Sequence, residues 1–195
     1  MSLSLIGVQA ITPQAWRNGG GRTRELLVWP AQGPWQLRIS RADIEVDGPF
    51  SSFAGVTRWF TVLRGNGVEL SFPTGNVALC AGDAALCFDG ADAPGCRLLD
   101  GATEDLNLMA IGGQSLMCQA VAGQSWDTPM SMRGLYTTVA GHLRAPQWDR
   151  QVPSHSLLWD DEAAAGGWTF EPSQPAASGA WWLGFAPGST TAGTP

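Results

Sequence analysis

The sequence contains no lysine: all 11 basic residues are arginine. That absence excludes Schiff-base chemistry and any phosphate loop that depends on a lysine ammonium. Histidine is almost as scarce, with only His142 and His155. A metal-dependent β-barrel oxygenase needs two or three histidines and a carboxylate around an open position, and no H-x-H or H-x-x-E spacing occurs. Zinc has no ligand pattern either, since Cys80, Cys87, Cys96 and Cys118 form no C-x-x-C pair. Those four read as buried thiols of a cytosolic protein. No metal and no cofactor is expected. The two histidines read as surface or hydrogen-bonded structural residues, and no G-x-S-x-G elbow accompanies them. Long apolar runs are missing too. None approaches the ~20 residues that span a bilayer, and Met1 to Ala10 lacks the pattern of a signal peptide. The net charge of −6 comes without basic runs. That argues against nucleic-acid binding by charge and against a polybasic membrane anchor.

What the chain does have is core material. Hydrophobic residues make up 44% of the 195 and charged residues 14%, which excludes a disordered tail or a charge-laced coiled coil. The 25 glycines and 13 prolines break the chain often, so many short strands are expected rather than long helices. Strand-like segments fall at Ser2 to Gly7, Trp35 to Ile44, Arg58 to Leu63, Val68 to Phe72, Val77 to Cys80, Ala84 to Phe88 and Asp105 to Ile111. The pattern predicts an all-β antiparallel barrel or sandwich. Asp161 to Ala165 is the best place for a helical turn, and the tail from Pro187 is expected to fray. A weak repeat runs through the chain: Gly65 and Gly141 lie 76 residues apart, and Asp83 and Asp160 lie 77 apart. Two similar β units of ~75–80 residues would fill the length.

Three segments could carry chemistry. Around Trp16-Arg17-Asn18-Gly19-Gly20-Gly21, three glycines let the backbone approach a ligand or form an anion nest; a tight turn between strands is the alternative. In Arg38 to Ile44, alternation places Arg38, Ser40 and Ala42 on one face and Leu37, Ile39 and Arg41 on the other. Arg58 shares a face with Phe60 and Val62. If that face points inward, the guanidinium needs a carboxylate, either from a ligand or permanently from Asp47, Glu69 or Asp105. In the third segment Asp105, Asn107 and Met109 share a face, which suits a cavity lining or a solvent face. The ten tryptophans read as packing, with Trp181 and Trp182 on opposite faces of one strand.

Together these segments resemble the HutD/Ves family. The matching pieces are Trp16 with Asn18 to Gly21, Thr23 and Glu25; Trp35 with Arg38, Ile39 and Ser40; Asp47 to Ser51 with Phe53, Gly55 and Arg58; Leu63 to Leu70; and Asp105 to Met109. They cover about residues 14 to 110. The resemblance implies a cupin-like (RmlC-type jelly-roll) bicupin, with two small antiparallel β-barrel halves. The halves would be residues 1–112 and 113–187, followed by a frayed tail, 188–195. It also implies a cytoplasmic bacterial protein associated with histidine utilisation that binds an intermediate such as N-formylglutamate or urocanate and limits expression of the pathway. No established enzymatic activity comes with it. Where relatives carry basic residues after the Asn-Leu-Met run, this chain has Ala110 to Gly113, so an anion contact or a surface salt bridge from there is absent.

On this reading Arg58 and Arg38 hold the ligand's carboxylate. Asn18, Ser40 and Asn107 add neutral hydrogen bonds, and Asp105 orients an arginine or accepts from the ligand. Phe50, Phe53, Phe60 and Met109 form apolar walls. The expected partner is a small carboxylate, with a homodimer or a regulatory protein left open. Two other classes remain: a metal-free isomerase or hydrolase using Asp105, Tyr136 or His142, and a protein-interaction module built on exposed tryptophan.

Overall fold

The structure is a computed structural model and describes residues 3–162, 166–174 and 179–188. It is built from short antiparallel strands in four sheets. The six-stranded sheet runs Gln14–Ala15, Gly21–Trp29, Leu37–Ile44, Thr103–Ile111, Val56–Arg64, Leu86–Asp89. A four-stranded sheet of Gly48–Pro49, Gly95–Leu98, Val68–Phe72 and Gly75–Leu79 packs on one of its faces. A five-stranded sheet packs on the other, in the order Leu3–Gly7, Ser156–Asp160, Met132–Thr137, Ala180–Ala186, Gln114–Gln119. The remaining sheet, of Ser125–Trp126, Trp168–Pro172, Gly141–Ala145 and Trp148–Val152, covers the far side of that one.

Three cores result. Ile44, Phe60, Val62, Val68, Leu70 and Cys96 fill the first pair of sheets. Leu135, Leu143, Leu158, Trp168, Phe170 and Trp182 fill the last pair. Between the two larger sheets lie Leu37, Ile39, Leu106, Leu108, Tyr136, Trp159, Trp181 and Phe185. Both large sheets are therefore buried on both faces, which explains why Thr103–Ile111 and Ala180–Ala186 are buried almost throughout. Trp181 enters the middle core and Trp182 the last one, as their adjacency requires.

The repeat has a structural counterpart. Among the described residues, eight strands run from Leu37–Ile44 to Thr103–Ile111, and eight from Gln114–Gln119 to Ala180–Ala186. They pair in the same order within each set. The expected strands are present, Val68–Phe72 with its expected ends and the others with ends within two residues of them; Ser2, the expected start of the first, lies outside the described residues. The strand Gly21–Trp29 is an addition to them; its first residues, Gly21, Arg22 and Arg24, carry a turn-like and charged pattern. Its start lies inside the glycine run. Of the helical turn expected at Asp161 to Ala165, residues 163–165 lie outside the described residues, as do 189–195 of the tail. The four cysteines are free, but only Cys96 is buried; Cys80 and Cys87 are exposed, Cys87 because it points outward from an edge strand.

The turn after Val56–Arg64 depends on glycine. Gly65 and Gly67 have φ of +101° and +108°, and a Cβ would meet Ala102 O at 2.6 Å and Leu79 O at 2.4 Å. Only glycine tolerates both constraints.

A middle core shared by both strand sets predicts cooperative unfolding. Leu108→Ala, at a fully buried position of that core, is expected to cost about 2–5 kcal/mol. Denaturant unfolding followed by far-UV and tryptophan signals should show one shifted transition; two separated transitions would contradict a shared core.

Candidate functional site

Three adjacent strands set the floor of a cavity of about 420 Å³. In the six-stranded sheet Met109 lies opposite Arg38 on one side and Arg58 on the other. In the next row Asn107 lies opposite Ser40 and Phe60. The period of two puts these side chains on one face and Leu106 and Leu108 in the middle core. Two loops close the sides: the glycine-rich turn after Gln14–Ala15 brings Trp16, Arg17 and Asn18, and the segment after Gly48–Pro49 brings Phe50, Ser51 and Phe53.

The glycine run is a tight turn. Asn18 Oδ1 accepts from Gly20 N at 3.1 Å, Gly19 has φ of +70°, and Trp16 N donates to Gly21 O at 2.9 Å. Gly21 must be glycine, since a Cβ there would meet the Asp43 carbonyl oxygen at 2.2 Å. Trp16 is held by its indole N–H, which donates to Thr23 Oγ1 at 2.7 Å.

Arg58 dominates the electrostatics. It is only 9% exposed, yet no carboxylate lies within ion-pair distance among the described residues. Nε and Nη2 both donate to Asn107 Oδ1, at 3.0 and 2.6 Å. Its guanidinium stacks over Phe50 at 4.1 Å from the ring centre. Burial lowers its pKa to about 10, so it stays a cation at neutral pH. The permanent partners the sequence offered are engaged elsewhere. Asp47 accepts from Leu98 N and Glu69 pairs with Arg97. Asp105 accepts from Thr103 Oγ1 at 2.9 Å. Arg38, by contrast, is paired, with Nε 2.8 Å from Glu25 Oε2.

Asp105 and Phe60 are not at the cavity surface. Both are fully buried one layer below it, Phe60 tilted against Phe50 with ring centres 5.3 Å apart. Burial pushes the Asp105 pKa well above the ordinary carboxylate value, and its Oδ1 has no hydrogen-bond donor among the described residues. Of the expected residues, Arg58, Asn18, Asn107, Arg38, Ser40, Phe50, Phe53 and Met109 line the cavity. Gln14, Ala15, Arg17, Pro49 and Ser51 also line it and are not among the residues expected there. Arg17 and Ser51 sit in loops, and Gln14–Ala15 and Gly48–Pro49 are two-residue strands too short to carry a period from which a facing could be read. The acid–base groups of the enzymatic alternative are not assembled. Tyr136 is buried in the middle core, and His142 is exposed beside Asp149. Among the described residues no group of three or more His, Cys, Asp or Glu is placed to hold a metal ion. Among them, too, no helix is long and apolar enough to cross a membrane.

The second strand set also carries a buried arginine. Arg133 faces the last core two residues before Leu135, as Arg58 stands two before Phe60. Its guanidinium lies 4.6 Å from the Trp168 ring centre and donates to Gly166 O at 2.8 Å.

The fold is shared with cupin-type structures. A single-substitution form of oxalate decarboxylase from Bacillus subtilis superposes with a TM-score of 0.63 at 8% identity, over 93% of this chain and 77% of that one. A conserved protein of Pseudomonas aeruginosa superposes at 0.86, with 26% identity over 95% of this chain and 100% of the other. HutD from Pseudomonas fluorescens SBW25, determined in a formate condition, gives 0.82 at 22% identity, over 95% and 98%. The HutD family model matches residues 8–142, and the chain belongs to that family. Among curated relatives, a 21.2 kDa protein in the hutC 3′ region of Pseudomonas putida is 38% identical over 109 residues, 55% of this chain and 57% of the relative. Protein Ves of Citrobacter koseri is 31% identical over 128 residues, 65% and 67%. The first match thus spans just over half of that relative's length.

The buried acid gives a pH prediction. Native Asp105 keeps its proton where the unfolded chain has lost it. Stability should therefore fall as pH rises from the ordinary carboxylate range toward the native pKa, by up to about 1.4 kcal/mol per pH unit. Asp105→Asn removes that slope while its amide oxygen still accepts from Thr103. Unfolding free energies of both proteins between pH 4 and 7 should diverge; parallel profiles would show that Asp105 is ionised in the native state.

Proposed function

We propose that the protein is a metal-free cupin that binds a small carboxylate in the cavity above Arg58. Its setting would be histidine utilisation, the ligand an intermediate such as N-formylglutamate or urocanate, and the role regulatory or accessory. The observation that carries this reading is the guanidinium of Arg58: buried, cationic and, among the described residues, without a carboxylate of its own. A buried cation is costly unless it is paired, and a ligand carboxylate supplies the missing charge with fork geometry. Ser40 and the Asn107 amide stand beside it for neutral hydrogen bonds, and Phe50, Phe53 and Met109 cover the apolar part of the ligand. The family name and the hutC-region relative support the metabolic setting.

In this reading each set of eight strands is one jelly-roll half of a bicupin, with the boundary at Gly112-Gly113. The second half carries an arginine at the matching place, Arg133, which contacts the Trp168 face, the Gly166 carbonyl and, at 3.7 Å, Asp127. Binding without turnover is supported by the placement of Tyr136 and His142 away from the cavity. A cytoplasmic setting fits the free thiols. The signal passes to a regulatory protein or to a second copy of the chain.

A thermal-shift titration tests it, with histidine, urocanate, N-formylglutamate, glutamate and formate as ligands. One acid should shift the transition saturably, adding roughly 2.7 kcal/mol at ~100 times its Kd. Arg58→Ala should abolish the shift, and Arg58→Lys should keep part of it, since the charge remains but the fork is lost. If none of the five acids shifts the transition, the carboxylate reading fails. If product forms, the binding-only role fails.

A further inference from the structure

A second cleft lies on the opposite face of the same sheet. It opens where the middle core ends, with a volume of about 600 Å³. One row across four strands reads Arg22, Asp43, Glu104, Arg64; the next places Arg24 directly opposite Arg41. Four arginines here face three carboxylates, the third being Glu45. Asp43 alone serves three of them. Its Oδ2 is 3.0 Å from Arg22 Nε and 2.9 Å from Arg24 Nη1, and its Oδ1 is 2.9 Å from Arg41 Nη2. Glu104 lies 2.7 Å from Arg41 Nη2 but 3.7 Å from Arg64 Nη1, and Glu45 lies 2.6 Å from Arg22 Nη2.

This network is short of acceptors. Each guanidinium carries five N–H donors in a fixed fork. The Arg41 side chain is only 8% exposed, and its Nε is buried with no acceptor among the described residues. Behind it the Tyr136 hydroxyl, which feels the charges of Arg41, Glu104, Asp43 and Arg24, is likewise buried without a partner among them. Native interiors seldom leave such groups unpaired. At the mouth Arg64 is 80% exposed and Arg22 48%, and the long contact to Glu104 is the ion pair that Arg64 makes. A local excess of positive charge in a chain of net charge −6 is a place where an anion, not a cation, is attracted.

We infer that this cleft binds a small polyvalent oxyanion, phosphate-bearing or polycarboxylate, between Arg64 and Arg22 with Arg41 beneath. The ligand's oxygens take the donors that Asp43 and Glu104 cannot serve. The site is separate from the cavity above Arg58, because Arg41 and Arg38 project from opposite faces of one strand.

The test is isothermal titration of the full chain at low ionic strength, with inorganic phosphate in one arm and citrate in the other. At least one probe should bind saturably, near one per chain. Binding should survive in Arg58→Ala and weaken by about tenfold or more in Arg64→Gln and in Arg22→Gln. Both mouth residues are exposed enough for the fold to persist, which circular dichroism checks. The arm that binds identifies the oxyanion class. The inference is overturned if neither probe binds below about 10 mM, or if the mouth substitutions leave binding unchanged. It is also overturned if Arg58→Ala alone abolishes binding, which places the anion in the first cavity. The carboxylate titration of that cavity is read separately, so either proposal can fail without the other.

Discussion

A guanidinium removed from water with, among the described residues, no carboxylate to pair with is the constraint around which the first strand set is arranged. Arg58 is held by a neutral amide, Asn107, and by the face of Phe50, neither of which cancels its charge. Asp105, one row further along Thr103–Ile111, is the carboxylate one would expect to do so. Burial pushes its pKa well above the ordinary carboxylate value, and its hydrogen bond comes from Thr103. The Arg58 guanidinium faces the cavity. Preorganisation of this kind costs native stability, and the three cores supply the apolar burial that offsets it.

The same sheet serves two clefts because it is buried on both faces. Strand Leu37–Ile44 sends Arg38, Ser40 and Ala42 toward one and Arg41 and Asp43 toward the other. The five-stranded sheet lies behind it: Trp159, Trp181 and Phe185 share a core with the rear of the strands that carry Arg58 and Asn107. The second strand set repeats the order of the first, with Arg133 where Arg58 stands. There the guanidinium meets an indole, a backbone carbonyl and, at 3.7 Å, the Asp127 carboxylate.

Much of this was legible in the sequence. Alternation assigned Arg38, Ser40, Arg58, Phe60, Asp105, Asn107 and Met109 to their faces correctly, and it put the adjacent Trp181 and Trp182 on opposite faces of one strand, where the structure has them enter two cores. Other features were not. The strand Gly21–Trp29 begins with residues that look like a loop, because its outward charges are satisfied by Asp43 and Glu45 across the sheet. Asn107 as the partner of Arg58 lies 49 residues away in sequence. Depth was illegible as well: Phe60 and Asp105 share a face with the cavity residues but sit beneath them.

By itself the sequence determined the all-β class, the repeated unit and the side of each strand on which a residue stands. Those follow from local rules, the period of two and the turn residues between strands, and need no knowledge of what lies opposite. Only the tertiary structure decided which rows open into a cavity and which carboxylates reach which arginines. It also decided that none of those described reaches Arg58 and that four arginines gather at a second cleft. These depend on how sheets stack and where loops close over them, and in this chain the contacts that set both are long-range in sequence.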